Sequence, residues 1–515
     1  MSQTYLLGLD IGSSFVKASL LDAATGRAAA SASAPASEMA IGAPRPGWAE
    51  QDPREWWRHA VTATRQVLAQ ANASPGAVRG IGISYQMHGL VLVDRHGQPL
   101  RPSIIWCDSR AVSVGEAAFD RIGRLTCLAR VLNSPGNFTA SKLAWVRAHE
   151  PEVFAAADKA MLPGDFIALR LTGRAVTTAS GLSEGVLWDF LDRQPSDDVL
   201  AALDLPARLL PDLVPTFGEQ GVVSGEAAAE TGLAAGTPVS YRAGDQPNNA
   251  FSLRVLHPGE VAATAGTSGV VYAVIDQASW DNDSRVNTFL HVTDRPGSPR
   301  YGVLLCVNGT GALYSWLKRL LGGGQVSYEE MNRLAAGAPI GAGGVVVLPF
   351  GNGAERSLGN REPGASVHHV SLVRHDRAHL LRAAQEGIVF ALHHGMGIMR
   401  EMGLQARAVR AGRANMFLSP VFSQAFADVS GATVELFDTD GAQGAARAAG
   451  LGAGVFATEE EAFTGLRPLE RLEPDAARQA QYLEAYGRWQ DTLQRQLTPP
   501  LPPAAAAAPA APGLA

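Results

Sequence analysis

A chain of 515 residues, 46% hydrophobic and 18% charged, has the composition of an ordinary soluble globular protein and the length of more than one domain. Its 43 basic and 49 acidic residues leave a net charge of −6 with no Lys/Arg run, so it lacks the electrostatic footprint of a nucleic-acid or anionic-membrane binder. Three scattered cysteines, Cys107, Cys127 and Cys306, make neither a disulfide framework nor a thiolate zinc site and read as small buried hydrophobes in a reducing compartment.

Residues 5–9, 16–21 and 28–34 predict three short strands with turns at Gly12-Ser13 and Ala24-Thr25-Gly26, an antiparallel meander. The first apolar run stops at Asp10, short of a signal-peptide core, and no stretch reaches ~18 uncharged apolar residues. A cytoplasmic protein is expected. Residues 55–70 carry Trp56, Trp57, Ala60, Val61, Val67 and Leu68 at helical spacing, with Asp52-Pro53 as cap and first position. Strands over 78–85 and 90–93 then flank Gln86-Met87-His88-Gly89, which puts that cluster at a strand end. From Val239 the same grammar returns: a strand into Gly244-Asp245, a helix, and strands over 260–265 and 270–275 around Gly266-Thr267-Ser268-Gly269. Two halves of similar grammar suggest a duplicated α/β unit with a cleft between them. The last periodic helix is expected over 475–497, and the Pro/Ala-rich residues 498–515 form a disordered tail.

The turns after Asp10, after Gly244 and at 266–269 share one chemistry: a β-run ends in small residues whose backbone N–H groups can face an anion. Asp245 projects into a cleft from such a position, so the pattern points to phosphate handling beside a base. The sequence has no GxxxxGK[ST], GxGxxG or HExxH, which removes the main support for a P-loop nucleotidase, a dinucleotide enzyme or a zinc protease. His368-His369 and His393-His394 are adjacent pairs whose side chains point apart on a regular element, and they read as structural.

Taken in order, these motifs resemble the FGGY carbohydrate kinases of the sugar kinase, Hsp70 and actin fold, and within them the xylulokinases, to about residue 490. Asp10-Ile11-Gly12-Ser13-Ser14-Phe15-Val16-Lys17 is similar to the family's first phosphate motif and Ala265-Gly266-Thr267-Ser268-Gly269 to its second. Residues 83–89 followed by 104–110 resemble the xylulokinase substrate segment, and residues 138–145 the stretch that carries a family signature. Gly244-Asp245 matches the catalytic aspartate; residues 377–383, Glu386-Gly387 and 411–419 resemble the adenosine side. Arg413 interrupts what is often a glycine run, and Arg242-Ala243 stands where the family has a Gly-rich approach to the aspartate.

The resemblance implies an α/β fold of two RNase H-like domains, each a mixed five-stranded sheet flanked by helices, with an interdomain cleft. The expected division is 1–243, 244–497 and the tail. It implies transfer of a phosphoryl group from ATP to D-xylulose, with Asp245 as general base and as a substrate contact beside Gln86, Met87 and His88. Gly12, Ser13, Ser14, Lys17, Gly266, Thr267, Ser268, Gly412 and Asn415 are expected to bind nucleotide and phosphate, and Asp10 to hold Mg²⁺ through water. The expected partner is a small ketose, with no nucleic acid or membrane, and the resemblance alone suggests a homodimer. Another pentulose or polyol remains an alternative substrate, and a non-catalytic sugar- or nucleotide-binding regulator an alternative class.

Overall fold

The computed structural model describes residues 3–322 and 325–498. β1 (Tyr5–Ile11), β2 (Val16–Asp22) and β3 (Ala28–Ala34) form the expected antiparallel meander. α1 (Pro53–Gln70) starts where the sequence signals it: Asp52 accepts the Arg54 N–H, Pro53 takes the first turn, and Trp56, Trp57, Ala60 and Val67 form its buried stripe. β4 (Val78–Tyr85) returns parallel to β1. α2 (Thr139–His149), α3 (Pro163–Thr172) and α4 (Ala179–Glu184) precede β5 (Phe217–Val222) and β6 (Pro238–Gly244), and β6 lies parallel to β4.

α5 (Asp245–Ser252) leads to β7 (Glu260–Ala265), β8 (Gly269–Ile275), β9 (Asn287–Leu290) and β10 (Tyr301–Val307). Next come α6 (Thr310–Gly322), the long α7 (Arg377–Glu401), β11 (Ala408–Gly412) and β12 (Thr433–Phe437). α8 (Gly441–Gly452), β13 (Pro468–Leu472) and α9 (Ala476–Leu497), capped by Asp475, complete the described chain. Beyond Thr498 the expected tail lies outside the described residues. No described helix is long and apolar enough to cross a membrane.

The first sheet has the order β5-β6-β4-β1-β2-β3 and the second β9-β10-β8-β7-β11-β12-β13. Five strands in each follow one plan, an antiparallel meander joined to two parallel strands, which is the duplication the sequence suggests. The strand count is corrected at the margins: β5 makes the first sheet six-stranded, and β9 and β13 make the second seven-stranded. Each added strand pairs antiparallel with an end of the five-stranded core and takes up backbone groups that would otherwise form an open edge.

α8 comes from late in the chain yet lies on the first sheet. Gly8 and Gly82 point at it from β1 and β4. A Cβ at Gly8 would stand 2.6 Å from Ala446 N, and one at Gly82 2.7 Å from the Ala445 carbonyl carbon. Glycine strands against an alanine helix let two backbones approach at a distance no larger side chain permits. Leu6, Leu21, Tyr241 and Ala243 share one buried cluster with Ala445, Ala446, Ala448 and Phe463.

Candidate active site

The register of the first sheet aligns residues far apart in sequence. Asp10 pairs with Ser84 and Ser84 with Ala243; one row on, Ile11 meets Tyr85 and Tyr85 meets Gly244. Asp10, the Gln86-Met87-His88 turn and Asp245 therefore all emerge at the carboxyl ends of parallel strands, where open α/β sheets leave a crevice.

The half-buried Asp10 accepts a hydrogen bond from Ser84 Oγ at 2.8 Å. Its carboxylate lies against the first residue of α8, where a Cβ on Gly441 would be 2.7 Å from Oδ2, at the positive end of that helix. Burial raises its pKa, Lys17 and Ser84 lower it, and Asp440 raises it. Lys17 is its cross-strand partner. Asp245 opens α5, and burial together with the charge of Asp10 pushes its carboxyl up to about 7, against hydrogen bonds involving Gln246. α5 is tied to the start of α8: Asn248 Nδ2 donates to Gly441 O at 2.9 Å, and Ser252 Oγ to Asp440 O at 2.8 Å.

Gln86 donates its backbone N–H to Ile11 O at 2.8 Å, while its buried Oε1 has no partner. Met87 is buried beside Gly244. His88 has φ 61°, a left-handed conformation uncommon for a side chain with a Cβ and concentrated at functional sites. Its Nδ1 lies 2.8 Å from Glu184 O. A carbonyl only accepts, so Nδ1 carries the proton and Nε2 is left as an acceptor. Burial, then Lys142, drives the ring's pKa down to about 3, and the imidazole is neutral. Phe138 stands edge-on to it, with centroids 4.7 Å apart.

Gly12 differs in detail from its expected role: its N–H donates to Phe15 O at 3.0 Å and closes the β1–β2 turn. Ser13 and Ser14 form the tip. Trp106 Nε1 reaches Ser13 Oγ at 3.4 Å, and Gln51 Nε2 donates to Ser13 O at 2.6 Å.

In the second half a cavity of about 1030 Å³ is lined by Gly266, Thr267, Gly311, Tyr314, Asn332 and Asn415, among others. The N-terminus of α6 closes on its glycine turn, with Gly311 N–H donating to Gly266 O at 2.9 Å. Asn415 adjoins Gly266: a Cβ there would be 3.5 Å from Asn415 Nδ2. Gly412 ends β11 outside the cavity wall, and Ser268 stands beside Cys306. Arg413 is exposed. Arg382 and Glu386, within the segments that resemble the adenosine side, instead form a buried pair at 2.8 Å inside α7. The cavity has the size for a nucleotide. Asp10, one carboxylate with Oδ2 free of the Ser84 bond, suits a hydrated Mg²⁺ better than a dehydrated ion. Among the described residues no three His, Cys, Asp or Glu side chains converge as a full ligand set.

Several residues of the site are not among the expected contacts. Glu184, at the end of α4, is 1% exposed. Arg242 is fully buried, its Nε 3.0 Å from Asp165 Oδ1 and its NH2 donating to Val176 O at 2.9 Å; it faces the core, away from the cleft. Lys142 Nζ donates to His88 O at 2.8 Å and Ile105 O at 3.0 Å, holding the His88 turn and the segment at Ile105 together. Burial takes its pKa down to about 7. Glu184 and Gln51 lie in no motif, and Lys142, although inside the 138–145 stretch, gives no sign of its partners in sequence; the fold shows what they meet.

Residues 5–252 match the N-terminal domain, and residues 261–453 the C-terminal domain, of the FGGY family of carbohydrate kinases. The chain is 32% identical to a xylulose kinase of Klebsiella pneumoniae over 92% of its own length and 96% of the relative's. It is 31% identical to a xylulose kinase of Escherichia coli over 95% and 98%, and 31% identical to an L-xylulose/3-keto-L-gulonate kinase of Escherichia coli over 95% and 96%. The crystal structure of xylulose kinase from Rhodospirillum rubrum superposes with a TM-score of 0.83 at 28% identity, covering 95% of this chain and 98% of that one.

Proposed function

This chain belongs to the FGGY family of carbohydrate kinases, and we propose that within it the protein is a cytoplasmic, ATP-dependent xylulose kinase that converts D-xylulose to D-xylulose 5-phosphate. Relatives named xylulose kinase, aligned over more than nine-tenths of the chain, support the sugar. The observation that carries the site assignment is the register that sets the ends of β1, β4 and β6 side by side.

In this reading the C5 hydroxyl of the ketose lies against Asp245. Its oxygen bonds to the γ-phosphorus as the bond from that phosphorus to the bridging oxygen breaks, and the hydroxyl proton passes to Asp245, leaving ADP. His88 Nε2 and Gln86 Oε1, both acceptors without a protein partner, receive acceptor hydroxyls, and Met87 packs on the carbon chain. A site built to bond particular hydroxyls rejects analogues that leave its buried polar atoms unpaired. Asp10 would hold Mg²⁺ through water, and the ion would supply charge neutralisation to the transferring phosphates. Lys17 and the N–H groups of Ser13, Ser14 and residues 266–268 take phosphate oxygens, while Asn415, on the cavity wall, flanks the adenosine.

The test is ADP release with Mg-ATP across D-xylulose, L-xylulose, D-ribulose, L-ribulose, gluconate and glycerol. D-xylulose should be preferred, and Asp245→Asn should keep binding while losing about 10²–10⁴-fold in turnover. Near-normal turnover in that variant removes Asp245 from the mechanism. Preference for another sugar moves the substrate and keeps the kinase, and nucleotide binding without turnover on any acceptor favours a regulator.

A further inference from the structure

Glu184 belongs to no recognised motif, yet it touches both sides of the acceptor site. Its backbone carbonyl fixes the His88 ring. Its carboxyl packs on Gly244, where an added Cβ would strike Oε2 and stand 3.3 Å from Cδ. Oε1 and the hydroxyl of neighbouring Tyr85 are both buried, pair with no third group among the described residues, and interact with each other. Gly244, on which this carboxyl packs, directly precedes Asp245 in the chain.

We propose that Glu184 is a positioning residue: it joins the His88 turn to Gly244 and so holds the acceptor-binding side chains in register with Asp245. The proposal rests on the kinase reading above.

The surroundings decide the form in which it acts. Arg242, a buried cation on this face of the sheet, is drawn to Asp165 through Nε and to the Val176 carbonyl through NH2, with NH1 left unpaired, and it makes no ion pair with Glu184. No ion pair reaches Glu184 among the described residues, and Asp165 and Asp245 both lie near it. A bare carboxylate buried beside two others without a cation is strongly disfavoured, so Glu184 acts as the uncharged acid, able to donate from one oxygen and accept at the other. Reach and hydrogen bonding matter; charge does not.

That ordering is testable by rescue. Glu184→Gln keeps the length and both hydrogen-bonding capacities, whereas Glu184→Asp keeps the acid but is one methylene too short to reach Gly244. On the acceptor the wild type prefers, Gln should stay within about threefold of wild-type kcat/KM. Asp and Ala should fall by at least about 30-fold, chiefly through acceptor KM and kcat, with Mg-ATP KM within about twofold. The unchanged Mg-ATP KM serves as the folding control in the same protein. Asp outperforming Gln, Ala matching wild type, or all variants losing acceptor and nucleotide binding together would each overturn the proposal. If Ala does not fold, the Gln-against-Asp comparison alone decides. A wild type inactive on every acceptor refutes the kinase reading before any variant is made, and this proposal with it.

Discussion

Replacing Gly244 with alanine adds one methyl group at the strand end that carries Asp245, the proposed general base. The backbone accepts it, since φ −57° and ψ 155° are open to any residue. The space does not: the new carbon would lie 2.6 Å from Met87 Cγ and closer still to Glu184 Oε2. Carbon–carbon contact is optimal near about 3.5 Å, so neighbours that are themselves buried must move by about 1 Å. Overpacking of this kind destabilises by about 1–3 kcal/mol. A shift of about 1 Å in a reacting group lowers the rate about 100-fold, and here it falls on the proposed base Asp245 and the proposed acceptor contact Met87 at once. Acceptor kcat/KM from ADP release and the thermal midpoint should therefore both drop while Mg-ATP KM holds. An alanine variant with wild-type kcat/KM and midpoint would show the junction to be loosely packed, and would refute the steric argument for Gly244 and Glu184 together.

The base must be ionised to accept a proton. With Asp245 pushed up to about 7, kcat/KM should fall about tenfold per pH unit below that value; an acidic limb in the ordinary carboxylate range would contradict it. The same shift means that, between its unfolded value and about 7, the folded protein keeps a proton the unfolded chain has lost, so stability falls as pH rises through that window. Asp245→Asn should accordingly raise the thermal midpoint at pH 8 and leave it unchanged at pH 4. Arg242→Met strands a buried Asp165 and should cost about 3–5 kcal/mol, most of it recovered in Arg242→Met/Asp165→Leu, as denaturant titration would measure. Gly311→Ala drives a Cβ into the Gly266 backbone, 3.0 Å from its carbonyl carbon, and should raise Mg-ATP KM several-fold with acceptor affinity intact; the reverse pattern would put the nucleotide elsewhere.

Much of the fold is readable from local chemistry. Asp52-Pro53 and Asp475 announce helix starts, alternation announces the meander, and two Gly-rich turns after apolar runs announce the duplicated plan. Marginal strands are not readable. β5 and β13 are short and partly exposed, and they pair only because an edge lies nearby. Within the site, Asp10, His88 and Asp245 sit in recognisable turns. Glu184, Gln51 and Lys142 act through partners 38 or more residues away: Gln51 with Ser13, Lys142 with His88, Glu184 with His88 and Gly244. Their roles follow from strand register and helix placement, quantities that no window of sequence contains. Arg242 shows the converse, since a charge that looks available beside the base is already matched inside the core.

α8 also sets a timetable. As the ribosome releases residues 5–252, the strands of the first sheet can pair, but the glycine face of β1 and β4 and the cluster around Leu6 and Tyr241 stay uncovered until residues 441–452 emerge. Contacts of such long sequence separation form late, and an apolar face left open meanwhile invites aggregation. The first half thus keeps an uncovered apolar face from its release until residues 441–452 follow it. Severing the chain at the junction between the halves would yield two fragments that need each other to become soluble, rather than two independent domains.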